Sequence, residues 1–227
     1  MKNLNKKMVF KSRILMIVLI AVFIISAMSL IDHSSGADTK NANSKVSQKD
    51  VVKASLNVNN KVYTTRLFNK YEGDSLNKYL VSTKNAPAKD KQIQRLAKKI
   101  TKDKKTDLKK AEAIFNWVKN NFRYSRYGDT KYGGKKTIQL KRGNCVDTTH
   151  ALVSLFRASK IPARYVNGKC KFTKGALAGV TVAHVWGQVL VGKRWMAFDG
   201  IYKGNRLGYV KNWKTNSYKL YGIYSNI

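Results

Sequence analysis

Cys145 is one of only two cysteines in the chain, and it stands in the stretch GNCVDTTHALV, residues 143–153. A small polar pair precedes it and an apolar pattern of helical period follows it, so we predict that it begins a helix. A thiol is a good nucleophile when it is ionised, which a helix N-terminus and a nearby histidine both favour. The alternatives are a buried apolar role, a disulfide with Cys170 and metal ligation. Two cysteines without a CxxC motif do not make a disulfide framework or a zinc site.

Three histidines could serve as the base for this thiol. His33 adjoins an N-terminal apolar run and is dismissed. His150 lies five residues beyond Cys145, so on a helix it points away from the thiol, and we predict a surface or hydrogen-bonded structural role. His184 lies in the strand pattern VTVAHVWGQVLV, where a single histidine is more often structural than catalytic. Its neighbours must therefore decide its role.

The segment after His184 predicts a β-hairpin that brings a carboxylate to the imidazole. A two-residue Gly-Lys turn at 192–193 would place Trp186 opposite Asp199. Because side chains alternate along a strand, Asp199 is then a diagonal neighbour of His184, at roughly 7–8 Å between backbones. A three-residue turn would move Asp199 to the opposite face. With the shorter turn, Cys145, His184 and Asp199 can act as nucleophile, base and orienting acid.

Helices, and then strands, are predicted to position these residues. Apolar side chains at helical spacing predict helices over 93–100, from an N-cap at Thr106 onward, and over 145–159, while the glycine-rich stretch 127–136 predicts a loop. Residues rich in Val, Tyr, Trp and Phe predict strands over 163–166, 169–172, 180–191 and 194–199, with further candidates at 208–210 and 218–224. This order is typical of an α+β domain with helices packed on an antiparallel sheet.

The N-terminus predicts export of the rest of the chain. Residues 14–31 form an uncharged, mostly apolar run, close to the roughly 20 residues that span a membrane. Five cations within residues 1–13 keep the N-terminus cytoplasmic by the positive-inside rule. A signal peptide cleaved near the small residues 35–37, which would give a secreted protein, is the alternative. Because the run is long for a signal peptide, we favour a single-pass anchor in the cell membrane.

The remaining segments are a polar tether over 32–50, a short extended segment with one or two strands over 51–75, and a catalytic domain over 76–227. The formal net charge of +33 favours anionic partners. The lysines are spread over the whole chain, however, and no nucleic-acid reader motif is present. We therefore expect an extracytoplasmic monomer that binds no nucleic acid, metal or cofactor.

Four motifs together resemble the core of the transglutaminase-like superfamily: GNCVD from Gly143, IPARYV from Ile161, HVWGQV from His184 and RWMAFD from Arg194. The resemblance implies a papain-like cysteine fold with Cys145 as nucleophile, His184 as base and Asp199 as the orienting acid.

A narrower resemblance extends from about residue 76 to the C-terminus. The stretches FNWVKNNFRYSRY, from residue 115, and GYVKNWKTNSYKLYGIYS, from residue 208, are similar to the pseudomurein endoisopeptidases of archaeal viruses and their relatives in methanogens. Those enzymes hydrolyse isopeptide bonds to lysine side chains in wall cross-links. The chain has no copy of their pseudomurein-binding repeats, and the membrane anchor stands in their place. The resemblance thus implies remodelling of the host's own wall, or action on a surface protein.

The implied reaction is acyl transfer through a thioester on Cys145, with His184 moving the protons. Water as acceptor gives a peptidase or isopeptidase, and a lysine amine gives a transglutaminase. A non-catalytic wall-binding module is a third alternative, but a module that only binds has no need of all three catalytic residue types.

Five further residues have expected supporting roles. The oxyanion would be held by the Cys145 backbone N–H and a second donor, for which we suggest Gln139 or a tyrosine of the preceding loop. Asn144 is expected to cap the helix or to shape the turn before it, and Asp147 to fix the start of the helix. Trp186 is expected to wall the site from water, and Cys170 to be a buried strand thiol.

Overall fold

The computed structural model describes residues 55–58, 61–64 and 68–221. Its helices are α1 (Lys91–Thr101), α2 (Asp107–Asn121), α3 (Gly133–Leu140) and α4 (Cys145–Ala158), preceded by a short 3₁₀ turn at Asn77–Tyr79. Its strands are β1 (Ser55–Val58), β2 (Lys61–Thr64), β3 (Phe68–Lys70), β4 (Arg123–Tyr124), β5 (Arg142–Gly143), β6 (Ala163–Phe172), β7 (Thr181–Val191), β8 (Arg194–Phe198) and β9 (Trp213–Tyr221). Helices followed by antiparallel strands confirm the α+β prediction.

Side-chain caps fix the starts of three helices. Asp90 accepts from the backbone N–H groups of Gln92 and Ile93 before α1. Thr106 caps α2, and Asn144 caps α4. Each cap satisfies backbone donors that have no partner within the helix. The three helices predicted from apolar periodicity are therefore confirmed close to their predicted starts.

The predicted loop over 127–136 is wrong in its second half, because α3 begins at Gly133. A side chain at Gly134 would overlap Ser154 and would approach the His150 carbonyl oxygen to 2.8 Å, so glycine is needed for α3 to pack closely on α4. Gly133 itself has a φ of +65°, which favours glycine. The glycine pair thus serves helix packing rather than flexibility.

The main sheet has five strands in the order β3-β8-β7-β6-β9. The β7–β8 register pairs Val191 with Arg194, which confirms the two-residue turn. The two strands predicted over 163–166 and 169–172 are the single strand β6. No strand forms over 208–210, where one bridge pairs Arg206 with Tyr209, and the last strand begins at Trp213 rather than at residue 218.

The two faces of this sheet enter different apolar clusters. Tyr165, Val189 and Phe198 belong to the larger cluster, which includes the buried residues of α4. Val166 and Trp186 belong to a second cluster on the other face. The sheet is therefore covered on both sides, and its second face is the one that carries His184.

The N-terminal predictions fall mostly outside the described residues. The predicted membrane span over 14–31 and the tether over 32–50 lie there entirely. Within the described part, no helix is both long enough and apolar enough to cross a membrane. The extended segment predicted over 51–75 contains β1, β2 and β3, and β1 pairs antiparallel with β2.

Substitution of Gly187 by alanine should destabilise the domain. Gly187 is paired with Phe198, and a Cβ at this position would overlap the buried Phe198 ring. Overpacking of this kind costs roughly 1–3 kcal/mol, which denaturant unfolding would measure. Gly128→Ala is the matched control, because its Cβ would have no described atom within 4 Å. Equal stability of the two variants would contradict the expected overlap.

Candidate active site

Cys145 is the first residue of α4 and is partly exposed. The Asn144 cap before it is buried, and its Oδ1 accepts from the Asp147 backbone N–H at 2.9 Å. Its Nδ2 donates to the Asp129 carbonyl oxygen at 2.7 Å. Asn144 therefore both caps α4 and shapes the preceding turn, as predicted. The thiol is held at a helix N-terminus, where the dipole favours an anion.

Asp147 holds the preceding loop rather than the start of its own helix. Its buried carboxylate accepts from the Tyr127 hydroxyl at 2.6 Å and from the Gly133 backbone N–H at 2.8 Å. It also accepts from the backbone N–H groups of Lys131 and Tyr132. The helix start that it fixes is that of α3, which corrects the sequence-based expectation.

His184 and Asp199 form a buried pair on the β7–β8 side of the site. The imidazole Nε2 lies 2.9 Å from Asp199 Oδ2. Trp213 Nε1 donates to the same oxygen at 2.7 Å, and the Ile201 backbone N–H donates to Oδ1 at 3.1 Å. Burial raises the pKa of Asp199, but His184 and these two donors outweigh it, so the pKa lies below its ordinary value.

The imidazole also interacts with the Cys145 thiol. Burial lowers the pKa of His184, whereas the Asp199 charge and hydrogen bond, together with the hydrogen-bonding interaction with Cys145, raise it to about 10. Since Nε2 is engaged by Asp199, Nδ1 is the nitrogen that remains for the thiol. The structure thus brings the three sequence-predicted residues together as thiol, imidazole and carboxylate.

Aromatic rings surround the imidazole. Trp186 stacks on His184 with ring centroids 6.2 Å apart, and Phe172 meets it edge-on at 5.3 Å. Trp213 meets it edge-on at 5.5 Å. Trp186 is therefore part of the wall on the buried side of the imidazole, where low polarity strengthens the hydrogen bonds of the pair.

The other residues considered from the sequence lie outside the cluster of Cys145, His184 and Asp199. Gln139 is exposed on α3, and its amide donates to Gln92 at 3.2 Å, so its contacts do not direct it to the thiol. His150 is fully buried, and its ring contacts the hydroxyls of Thr130 and Tyr165 at 2.9 and 2.8 Å, which confirms a hydrogen-bonded structural role. Cys170 is a buried, free thiol on β6, as expected.

Tyr124 lies at the site and was not predicted, because the tyrosine suggested from the sequence belongs to the loop 127–136 and Tyr124 precedes that loop, in β4. In the parallel pair β4–β5 it stands opposite Gly143, and the next residue, Ser125, donates its backbone N–H to the Gly143 carbonyl oxygen at 2.9 Å. Partial burial and the charges of Cys145 and Asp199 raise the pKa of Tyr124 to about 12. The sequence pattern does not identify Tyr124, because the β4–β5 pairing that places it opposite Gly143 is only two residues long in each strand.

Among residues 55–58, 61–64 and 68–221, no group of three or more His, Cys, Asp or Glu side chains could hold a metal ion.

Residues 94–200 match the model of the transglutaminase-like superfamily, and this segment contains all three residues brought together at the site. No curated protein matches the chain. This segment is therefore similar to the transglutaminase-like superfamily, and it has the mixed helix and antiparallel-sheet architecture described above.

Solved structures give partial likenesses. A candidate cysteine protease from Cytophaga hutchinsonii has 22% identity and a TM-score of 0.48, over 63% of this chain and 53% of the other. The periplasmic domain of TgpA from Pseudomonas aeruginosa has 19% identity and a TM-score of 0.43, over 55% of this chain and 46% of the other. This chain thus spans about half the length of each.

The buried pair predicts how stability depends on pH. The pKa of Asp199 is lowered from 3.8, so its contribution is lost as pH falls below that value. The pKa of His184 is raised from 6.5 to about 10, so its contribution is complete below 6.5 and is lost as pH rises toward 10. We expect the wild type to exceed His184→Gln in free energy of unfolding most between about pH 4 and 6.5. Urea titrations across pH test this, and a constant difference from pH 6.5 to 10 would contradict it.

Proposed function

We propose that this chain is a membrane-anchored, extracytoplasmic cysteine hydrolase that cleaves isopeptide bonds in cell-wall peptides through a thioester on Cys145. The observation that carries the proposal is one buried imidazole, that of His184, in contact with both a carboxylate and a thiol at a helix start. A structural histidine needs partners, but it does not need a thiol at the N-terminus of a helix.

The proposed reaction has two steps, formation of a thioester on Cys145 and its hydrolysis. The Cys145 thiol gives its proton to His184, and its sulfur attacks the amide carbonyl carbon. The tetrahedral intermediate collapses as the C–N bond breaks and the imidazolium of His184 gives that proton to the leaving amine. The acyl group is then a thioester on Cys145. Neutral His184 next takes a proton from water, whose oxygen attacks the thioester, and the acid and the free thiol are released.

Charge on the carbonyl oxygen develops beside the start of α4. The backbone N–H of Cys145 belongs to the first turn and is one oxyanion donor. We propose the Tyr124 hydroxyl as the second donor in place of Gln139, because the β4–β5 register holds Tyr124 opposite Gly143, two residues before the nucleophile. Tyr124 is also about half exposed, so a substrate can reach it.

Two features support a wall peptide as the substrate. The stretches that resemble pseudomurein endoisopeptidases extend on both sides of the proposed site. The formal charge of +33 suits a polymer rich in carboxylates, and an uncleaved anchor over 14–31 would keep the domain beside the wall. A lysine amine in place of water would make the same thioester the intermediate of a transglutaminase.

Purified pseudomurein and a peptide glutamine donor with a labelled amine distinguish these outcomes. With the full-length chain in detergent micelles, we expect new free amines from the wall substrate. Cys145→Ala should lower their release by about 10³-fold or more. Incorporation of the labelled amine without wall cleavage would identify a transglutaminase instead. If neither reaction occurs, or if Cys145→Ala retains activity, the proposal fails.

Substitution of Tyr124 by phenylalanine should lower kcat and leave KM nearly unchanged. Loss of one oxyanion donor typically costs about 10²–10³-fold in kcat. Tyr132→Phe is the matched control, since it removes a tyrosine hydroxyl from the segment between β4 and α3, and we expect it to retain kcat. Steady-state kinetics with the substrate found above measure both variants. Similar kcat values for the two would exclude Tyr124 as the donor.

A further inference from the structure

We infer that Trp213 is a positioning residue of the site, whose indole N–H holds the Asp199 carboxylate in the orientation that His184 requires. The inference rests on the proposed function for its catalytic meaning. Trp213 lies 14 residues beyond Asp199, outside the four motifs that carry the superfamily resemblance and within the stretch from residue 208 that carries the narrower one.

The carboxylate of Asp199 is held by three donors. Trp213 Nε1 donates at 2.7 Å to Oδ2, the oxygen that also lies 2.9 Å from His184 Nε2. The Ile201 backbone N–H occupies Oδ1 at 3.1 Å. Rotation of the carboxylate would break all three contacts at once. Hydrogen bonds to an ionised acceptor are short and strong, and the Trp213 distance lies within that range.

The indole ring packs against the group that Asp199 orients. Trp213 is buried, and its ring meets His184 edge-on with centroids 5.5 Å apart. It also contacts Trp186 at 4.8 Å. The position follows from the fold, because β9 begins at Trp213 and pairs it with Phe172 of β6. One side chain therefore both donates to Asp199 and walls His184.

The loop between Asp199 and Trp213 also binds the backbone of Asp199. Asn205 is fully buried, and its Nδ2 donates to the Asp199 carbonyl oxygen at 3.1 Å. Its Oδ1 accepts from the Lys211 backbone N–H at 2.9 Å, two residues before the indole. The same loop thus fixes both the backbone and the side chain of Asp199, which is the arrangement expected of a positioning element.

The chemical consequence concerns the charge state of Asp199. A carboxylate that accepts from two protein donors besides the imidazole stays ionised to lower pH. An ionised Asp199 stabilises the imidazolium, which in turn stabilises a thiolate on Cys145. Without the indole N–H, Asp199 would become protonated at a higher pH than in the wild type. The ion pair between Asp199 and the imidazolium would then be lost, even with the aromatic packing intact.

Alkylation of Cys145 by iodoacetamide tests this without any substrate. The rate constant is measured against pH on the full-length chain, and Cys145→Ala identifies the signal, since Cys170 is buried. Trp213→Phe keeps a ring but removes the donor. We expect its acid-side midpoint to rise by about one pH unit. Trp195→Phe is the matched control, because it removes another buried indole, one whose ring packs on Tyr79, and its midpoint should stay at the wild-type value.

An unchanged midpoint in Trp213→Phe, or equal shifts in both variants, would overturn the inference. If Trp213→Phe does not fold, the indole N–H resonance of the unmodified protein, assigned through its contact with His184, gives a second readout. It should move as Asp199 titrates, and a resonance that does not respond would equally overturn the inference. Because alkylation needs no wall peptide, failure to cleave pseudomurein would count against the proposed function and not against Trp213.

Discussion

The buried hydrogen bond between His184 and Asp199 is the interaction on which the arrangement of this domain depends. Both side chains are almost completely removed from solvent, and a buried charge is costly unless it is paired and hydrogen-bonded. Asp199 meets this requirement with contacts from His184, Trp213 and the Ile201 backbone. Loss of one partner of such a pair typically costs about 3–5 kcal/mol, because the other charge is left uncompensated. These contacts join β7, the loop that follows β8, and β9. The three parts must therefore form together.

The nucleophile side depends on a second buried carboxylate. Asp147 accepts from loop 127–133, and this loop leads into α3, which packs on α4 through Gly134. Asn144 ties the same loop to the start of α4. These contacts are mostly to backbone groups, so the loop conformation does not depend on the identity of most of its side chains. The start of α4, which carries the thiol, is consequently held in one position. A functional site needs this precise positioning.

Helix starts and strand registers could be predicted from the sequence where they depend on residues close together in the chain. The start of α4 follows from Asn144 and the apolar period, and the register of His184 against Asp199 follows from a two-residue turn. The start of α3 could not be predicted, because Gly134 reflects a close approach to a helix that is distant in sequence. Trp213 was also missed as a site residue. Its donor role requires knowledge that β9 lies beside β6, and strand order is not a local property.

The charge state of His184 bears on which bonds the site suits. An amine leaves a tetrahedral intermediate readily only after protonation, and a lysine amine has a pKa of about 10.4. The pKa of His184 is raised to about 10, so in the proposed mechanism the imidazolium is present at neutral pH and can supply that proton. Once it has given up its proton with the amine, the same ring is neutral and can serve as base for the thioester step. By microscopic reversibility an incoming amine can use this path in reverse. In the proposed mechanism, the choice between hydrolysis and transamidation therefore lies with access of water or amine to the partly exposed Cys145, and not with the chemistry of Cys145, His184 and Asp199.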